Sequence, residues 1–305
     1  MQNASISSQA RQYLDALIPL PYTFISITGV DAEKFLQGQV SCDLRTLDEQ
    51  SASYSTVNTA KGRIYGLFKI VRSSEGFLLR MESSCVSAFM AQLSKYSAFF
   101  KAKIQIADQF RAFGLLSDMH EAPKQANTLL RYSDGFILRC PSETPMFEFW
   151  SDSNLSGVAS SSPEPWFVQE TLNGIPELYA ETQEQFILQQ LNLQHLGAVS
   201  FNKGCYTGQE IIARMKFLGK LKKKAYLLQT PEKREQEKNT ALAGSDILDQ
   251  TGKKCGELIR CHWSQRNGTV ALGVLNISDA EHTKQLSLAN TEASPFQIRE
   301  PVYNL

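Results

Sequence analysis

Apolar and polar residues alternate along Tyr22–Thr28, with Phe24, Ser26 and Thr28 on one face and Thr23, Ile25 and Ile27 on the other. That two-residue period is the signature of a strand. Gly29 breaks it, and Asp31 is placed to cap a helix through Ala32, Phe35 and Leu36. Two β-rich runs follow, Ile64–Arg72 and Gly76–Met81, preceded by the cationic turn Lys61-Gly62-Arg63, which taken alone is a solvated hairpin. Val86, Phe89, Met90 and Leu93 then share one face of an amphipathic, core-packing helix. Ile104–Leu116, Phe136–Cys140 and Met146–Trp150 have strand character, and the serine-rich stretch Ser151–Pro165 is the best linker. Ser162 and Pro163 start a helix that carries Trp166, Phe167 and Glu170 and ends at Gly174. Strands and helices in two successive blocks, without long βαβ alternation, predict two α+β domains. From Ala225 onward the pattern changes to short strands and turns, Tyr226–Gln229, Ile247–Asp249, Gly256–Cys261 and Val270–Leu275, with no helix. This predicts a small antiparallel barrel, its first turn a solvated loop over Pro231–Asn239.

Length and charge narrow the picture. A chain of 305 residues is long for one core and predicts two or three domains. Basic and acidic residues number 31 each, a neutral balance unlike that of a general nucleic-acid binder. No apolar run reaches the roughly 18 residues of a membrane span. The polar stretch Met1–Arg11 lacks the features of a signal peptide, so a cytoplasmic protein is expected. Six cysteines with no CxxC pair read as free thiols in a reducing compartment. Cys255, Cys261 and His262 match no zinc spacing and lack a fourth ligand.

One stretch concentrates chemistry: Phe201-Asn-Lys-Gly-Cys-Tyr-Thr-Gly-Gln-Glu210. Thr207 and Glu210 have capping-box spacing. Ile211, Ile212 and Met215 continue as a helical stripe to about Phe217, with Gly219 ending it. Cys205 therefore precedes a helix N-terminus, where the dipole favours a thiolate, and Lys203, Arg214 and Lys216 are cations nearby. Such settings lower a cysteine pKa from about 8.5 by one to several units. Gly204 and Gly208 permit tight turns beside the thiol. A capped helix with a buried cysteine is the bland alternative; a thiol, two glycines, Tyr206, Gln209 and Glu210 within eight residues favour a site.

Lys203-Gly-Cys-Tyr-Thr-Gly-Gln-Glu210 resembles the signature of the YgfZ family, folate-binding relatives of the glycine-cleavage aminomethyltransferase (T-protein). Ile27–Val40 is similar to the opening of both groups. The resemblance implies an α+β, T-protein-like ring of three domains, two ferredoxin-like α+β domains and a C-terminal β-barrel. On this chain they are expected at residues 1–106, 107–224 and 225–305, with the Cys205 segment free to pack back on the first. It implies tetrahydrofolate or a related folate as ligand, contacted by Tyr22 and Trp166, a flat ring suiting an aromatic slot with a few polar groups. It further implies an accessory role for iron–sulfur enzymes, among them radical tRNA-methylthiolating enzymes, with Cys205 as reactive thiol. Two positions depart from the pattern. Leu172 and Asn173 stand before Gly174 where the family carries a carboxylate, leaving Glu170 as the nearest acid. Val71–Gly76 offers no counterpart to the T-protein's first-domain acid.

A folate-dependent one-carbon transferase is the alternative function, and it needs an acid near the reacting folate nitrogens. Direct RNA binding through Lys216, Lys220, Lys222, Lys223 and Lys224 is a third, against which a solvated basic face is preferred. Cys205 itself has three open roles: ligand to a shared cluster, partner in a mixed disulfide, or nucleophile toward a folate-bound carbon. One thiol cannot hold a cluster alone.

Overall fold

The structure is a computed structural model that describes residues 5–153, 155, 157–231, 243–283, 285–289, 296–301 and 303. The chain runs through α1 (Ile6–Ala10), β1 (Ile18–Leu20), β2 (Tyr22–Thr28), α2 (Ala32–Gln37), β3 (Ala52–Asn58), β4 (Ile64–Arg72), β5 (Gly76–Glu82), α3 (Val86–Ser97) and β6 (Lys103–Ile106). It continues with β7 (Arg111–Leu115), β8 (Leu129–Tyr132), β9 (Gly135–Arg139), β10 (Phe147–Ser151), α4 (Glu164–Leu172) and α5 (Gln209–Phe217). The last part holds β11 (Lys223–Thr230), β12 (Asp246–Leu248), β13 (Lys254–Ser264), β14 (Gly268–Asn276), α6 (Ile277–His282), β15 (Ser287–Leu288) and β16 (Gln297–Arg299).

Among the described residues these strands form three antiparallel sheets, ordered β3-β4-β5-β2-β6, β1-β7-β10-β9-β8 and β15-β12-β13-β14-β11-β16. The chain changes sheet at Pro21: β1 pairs with β7, whereas β2 pairs with β5 and β6. Proline donates no ladder hydrogen bond, so it suits that hand-over. β2 is buried on both faces. Phe24 enters a core shared with Trp150, Phe136 and Trp166, meeting Trp150 edge-on at 5.2 Å, while Ile25 and Ile27 join the larger core under α2 and α3. That larger core also takes Leu188, Leu191, Leu193 and Leu196, from two 3-10 turns, and Leu227, Ile259 and Leu272 of the third sheet.

α4 packs against β13 and β14, and its Trp166 lies on Gly114 of β7. A Cβ at Gly114 would sit 2.3 Å from the indole Cε3, so only glycine admits the ring there.

Several sequence expectations need correction. Asp31 makes no cap bond; its carboxylate accepts from the Lys101 backbone instead, at 2.9 Å. The C-terminal region contains the short helix α6. The Lys61–Arg63 turn is not simply solvated, because Gly62 packs on the Ile211 side chain of α5. The loop expected over Pro231–Asn239 lies, beyond Pro231, outside the described residues.

Candidate functional site

The predicted site residues form two groups of contacts. The first is an arch over residues 198–207, fastened to the connection between α2 and β3. Ser41 Oγ donates to the Ala198 carbonyl at 2.5 Å, Ser200 N donates to Ser41 O at 2.9 Å, and Thr207 N donates to Gly38 O at 3.2 Å. Lys203 is the central fastening. Its ammonium is buried and donates to the carbonyls of Gln37, Val40 and Cys42 at 2.8, 2.7 and 2.7 Å. These lie at and just beyond the C-terminal end of α2, where free carbonyls and the helix dipole favour a cation. Burial lowers the Lys203 pKa to about 8 despite the nearby Cys42 and Asp43. Tyr206 is also buried, its ring 5.1 Å from that ammonium, and burial pushes its phenol up to about 12.

Between these fastenings Gly204 and Cys205 are exposed, and a Cβ at Gly204 would meet nothing within 4 Å. The other five cysteines are buried. Burial pushes Cys140 up to about 12 and Cys255 up to about 11, and raises Cys42 and Cys85 as well. Cys205 is thus the thiol that a reagent in solution meets first.

The helix behind it differs from expectation at its start. α5 begins at Gln209 with Gly208 at the cap position in left-handed conformation (φ 84°), and no side chain caps it. The Thr207–Glu210 capping box does not form. The turn is set by backbone packing: a Cβ on Gly208 would stand 2.6 Å from the Thr59 carbonyl. Gln209 is half-buried and Glu210 exposed. Lys203, expected as a cation acting on the thiol, is instead engaged with carbonyls.

The second group lies where the three sheets meet. Tyr22 is half-buried, with the Arg80 guanidinium 3.7 Å from its ring centroid and its hydroxyl 3.1 Å from Glu170 Oε2. Burial and Glu170 hold the Tyr22 phenol well above its ordinary range. Glu170 also accepts from Arg260 Nη1 at 3.1 Å, joining α4 to the third sheet. Arg80 pairs with Glu148 at 3.2 Å and Glu177 at 3.5 Å, and Lys69 Nζ reaches Glu148 at 2.5 Å. Against the effect of burial, Arg80 and Lys69 hold the Glu148 carboxyl below its ordinary value, whereas burial raises Glu177 to about 7. Arg260 Nε donates to His262 Nε2 at 3.2 Å, so the neutral ring keeps its proton on Nδ1 and directs it at Glu164 Oε2, 3.2 Å away. Burial lowers the His262 pKa to about 4, below the range in which it would charge at neutral pH.

Trp166 belongs to the core beside this network and has no exposed surface; its Nε1 lacks a partner, as do Tyr54 Oη, Arg80 Nε and Arg260 Nη2 among the described residues. The space enclosed by Tyr54, Lys69, Arg80, Glu170 and Glu177 is about 10 Å³, room for about one water. Cys255 and Cys261 lie in the core packed on the third sheet.

Apart from Glu170, these charged residues escaped the sequence reading, yet they left a signal there. Lys69, Arg80, Glu148 and Arg260 each interrupt an apolar strand, and charge in such a place is seldom buried unless paired.

No family model matches the chain. It is 25% identical over 293 residues to the tRNA-modifying protein YgfZ of Colwellia psychrerythraea, covering 88% of this chain and 90% of that one. The resemblance to the YgfZ family holds. The structure superposes on the glycine cleavage system aminomethyltransferase T from Bartonella henselae with a TM-score of 0.73 and 14% identity, over 98% of this chain and 91% of that one. The likeness gives the fold, a T-protein fold of α/β elements and antiparallel sheets. Within the YgfZ-like motif, Lys203 and Tyr206 are the buried supports and Cys205 the exposed group. No helix among the described residues is long and apolar enough to cross a membrane.

Proposed function

We propose that this chain is a cytoplasmic accessory factor in tRNA modification, supporting iron–sulfur enzymes such as radical methylthiolases, with Cys205 as its reactive thiol and a folate as its ligand. The observation that carries the reading is the arch: one exposed thiol, beside glycine, on backbone fastened at both ends and by Lys203 in the middle. The similarity to a protein named for tRNA modification points the same way.

Support for a folate comes from the donor set at the sheet junction. Tyr54 Oη, Arg80 Nε and Arg260 Nη2 are buried without partners, and Glu170 stands beside them as an acceptor. Those groups fit the polar edge of a pterin. The enclosed space is too small for the ring itself, so half-exposed Tyr22 is the residue to offer it a face, and buried Trp166 supports that wall from behind. When bound, tetrahydrofolate supplies nucleophilic nitrogens able to carry a one-carbon unit. Glu170 would accept from its amino edge, and the two arginines would donate to its oxo group. The reading also takes the three sheets as the cores of three domains arranged as in the T-protein, with β1 lent by the first segment to the second sheet.

The test is replacement of the chromosomal gene by wild type or Cys205→Ser, with 2-methylthio nucleosides measured in bulk tRNA. The expected result is a several-fold loss with Cys205→Ser at equal protein level. Unchanged nucleosides would sink the role given to the thiol.

A further inference from the structure

The five lysines from Lys216 to Lys224 take different surroundings in the folded protein. Lys224 pairs with Glu300 at 2.9 Å, whereas Lys216, Lys220 and Lys222 are exposed. Lys223 lines an open cleft of about 1060 Å³, together with Lys61 and Arg63 of the β3–β4 turn and Lys254 of β13. Lys254 is engaged with Asp246 and Glu257, and Arg63 with the Gln185 carbonyl. The acids in the cleft are Glu184 and Glu257, and Glu210 is exposed on α5. The β3–β4 turn packs on α5 through Gly62 and Ile211, and cations from positions 61, 63 and 223 line one cleft beside the helix that carries Lys216. At the end of α5 two large apolar side chains stand in solvent, Phe217 at 68% and Leu218 at 86% exposure. Phe201 of the Cys205 arch meets Phe217 edge-on at 6.0 Å, with the Lys216 ammonium 5.6 Å from its ring.

We propose that this strip, from Lys61, Arg63 and Lys223 in the cleft across Lys222, Lys220 and Lys216 to Phe217 and Phe201, is a binding track for an RNA strand that leads to Cys205. A cationic groove interleaved with exposed aromatic faces matches what a single strand presents, phosphates along the groove and bases able to stack. A protein partner would require a broader apolar centre than Phe217, Leu218 and Phe201 provide. The overall neutrality of the chain does not weaken the case, because Lys61 and Lys223 act locally, across a cleft whose walls concentrate their field. The choice of RNA rests on the tRNA-modification reading above; the juxtaposition of charge does not.

The test measures binding of the intact protein to a fluorescein-labelled, unmodified tRNA transcript by anisotropy across salt. Neutralising about five phosphates on a single strand predicts a loss of roughly a hundredfold between about 50 and 200 mM salt. Lys61→Gln with Lys223→Gln, and separately Lys216→Gln with Lys220→Gln and Lys222→Gln, should each weaken binding about tenfold or more and flatten the salt slope. Glu184→Gln should tighten it, a change that a folding defect does not produce. No binding at low salt, or binding that neither lysine set alters, overturns the track. So does equal binding to vesicles containing anionic lipid, which would assign the strip to a membrane surface. If RNA binding fails while Cys205→Ser still loses methylthiolation in cells, the track falls and the proposed function stands. If RNA binds and Cys205→Ser has no effect, the reverse holds.

Discussion

The arch around Cys205 and the junction beneath Tyr22 handle charge in opposite ways. At the arch one buried ammonium is satisfied by neutral carbonyls, and the group it supports stays in solvent. At the junction Lys69, Glu148, Arg80 and Glu177 pair among themselves, Glu170 pairs with Arg260, and Tyr22 bridges the two sets. The network so ties all three sheets together while leaving Arg80 Nε and Arg260 Nη2 without partners among the described residues. The lesson is that an exposed thiol needs only a fastened backbone, whereas a meeting of sheets with buried charge depends on its ion pairs. Damage should therefore be local in the first region and global in the second.

The largest effect should come from the junction. Glu148→Gln leaves Lys69 and Arg80 buried without their shared carboxylate and should cost about 3–5 kcal/mol in denaturant unfolding. A loss below about 1 kcal/mol would show that the junction tolerates an unpaired charge as the arch tolerates an exposed thiol.

The next effect is a pH dependence. His262 has a folded pKa of about 4 against an ordinary 6.5. Between these values the unfolded chain binds a proton that the folded ring refuses, so stability falls as pH is lowered from about 6.5 toward 4. The difference approaches about 3 kcal/mol. His262→Gln should lack this part of the acid slope. Because Glu177, raised to about 7, contributes the opposite slope in both proteins, the comparison between them isolates the histidine. Identical acid limbs would break the assignment.

The smallest global effect is expected at the arch. Lys203→Met removes the donor to three carbonyls and should cost about 1–3 kcal/mol, read as faster amide exchange over residues 198–207 rather than as a comparable loss of global stability. In wild type, Cys205 should be the first of the six cysteines alkylated, by mass-spectrometric mapping. If another cysteine labels first, the exposed-thiol half of the comparison fails.

Part of this was legible from residues alone. The strand at Tyr22–Thr28, the extent of α5 and the antiparallel C-terminal sheet all follow from periodicity and from glycine and proline placement. The capping box was not to be had from spacing, because Gly208 takes a positive φ against the β3–β4 turn and so removes Thr207 from the cap position. Asp31 likewise finds Lys101, a partner 70 residues away, in place of its own helix.

The sequence by itself determined the strand at Tyr22–Thr28, the helix α5 and where the unusual thiol motif lies, since each depends on neighbours within a few residues. Tertiary structure alone decided that Lys203 fastens α2, that Trp166 is core, that Arg80 finds an acid on another sheet and Arg260 one on α4, and that Lys61 and Lys223 share a cleft. Those partners are separated by 68 to 166 residues. A buried charge announces in the sequence that it needs a partner; only the packing of the sheets selects which one.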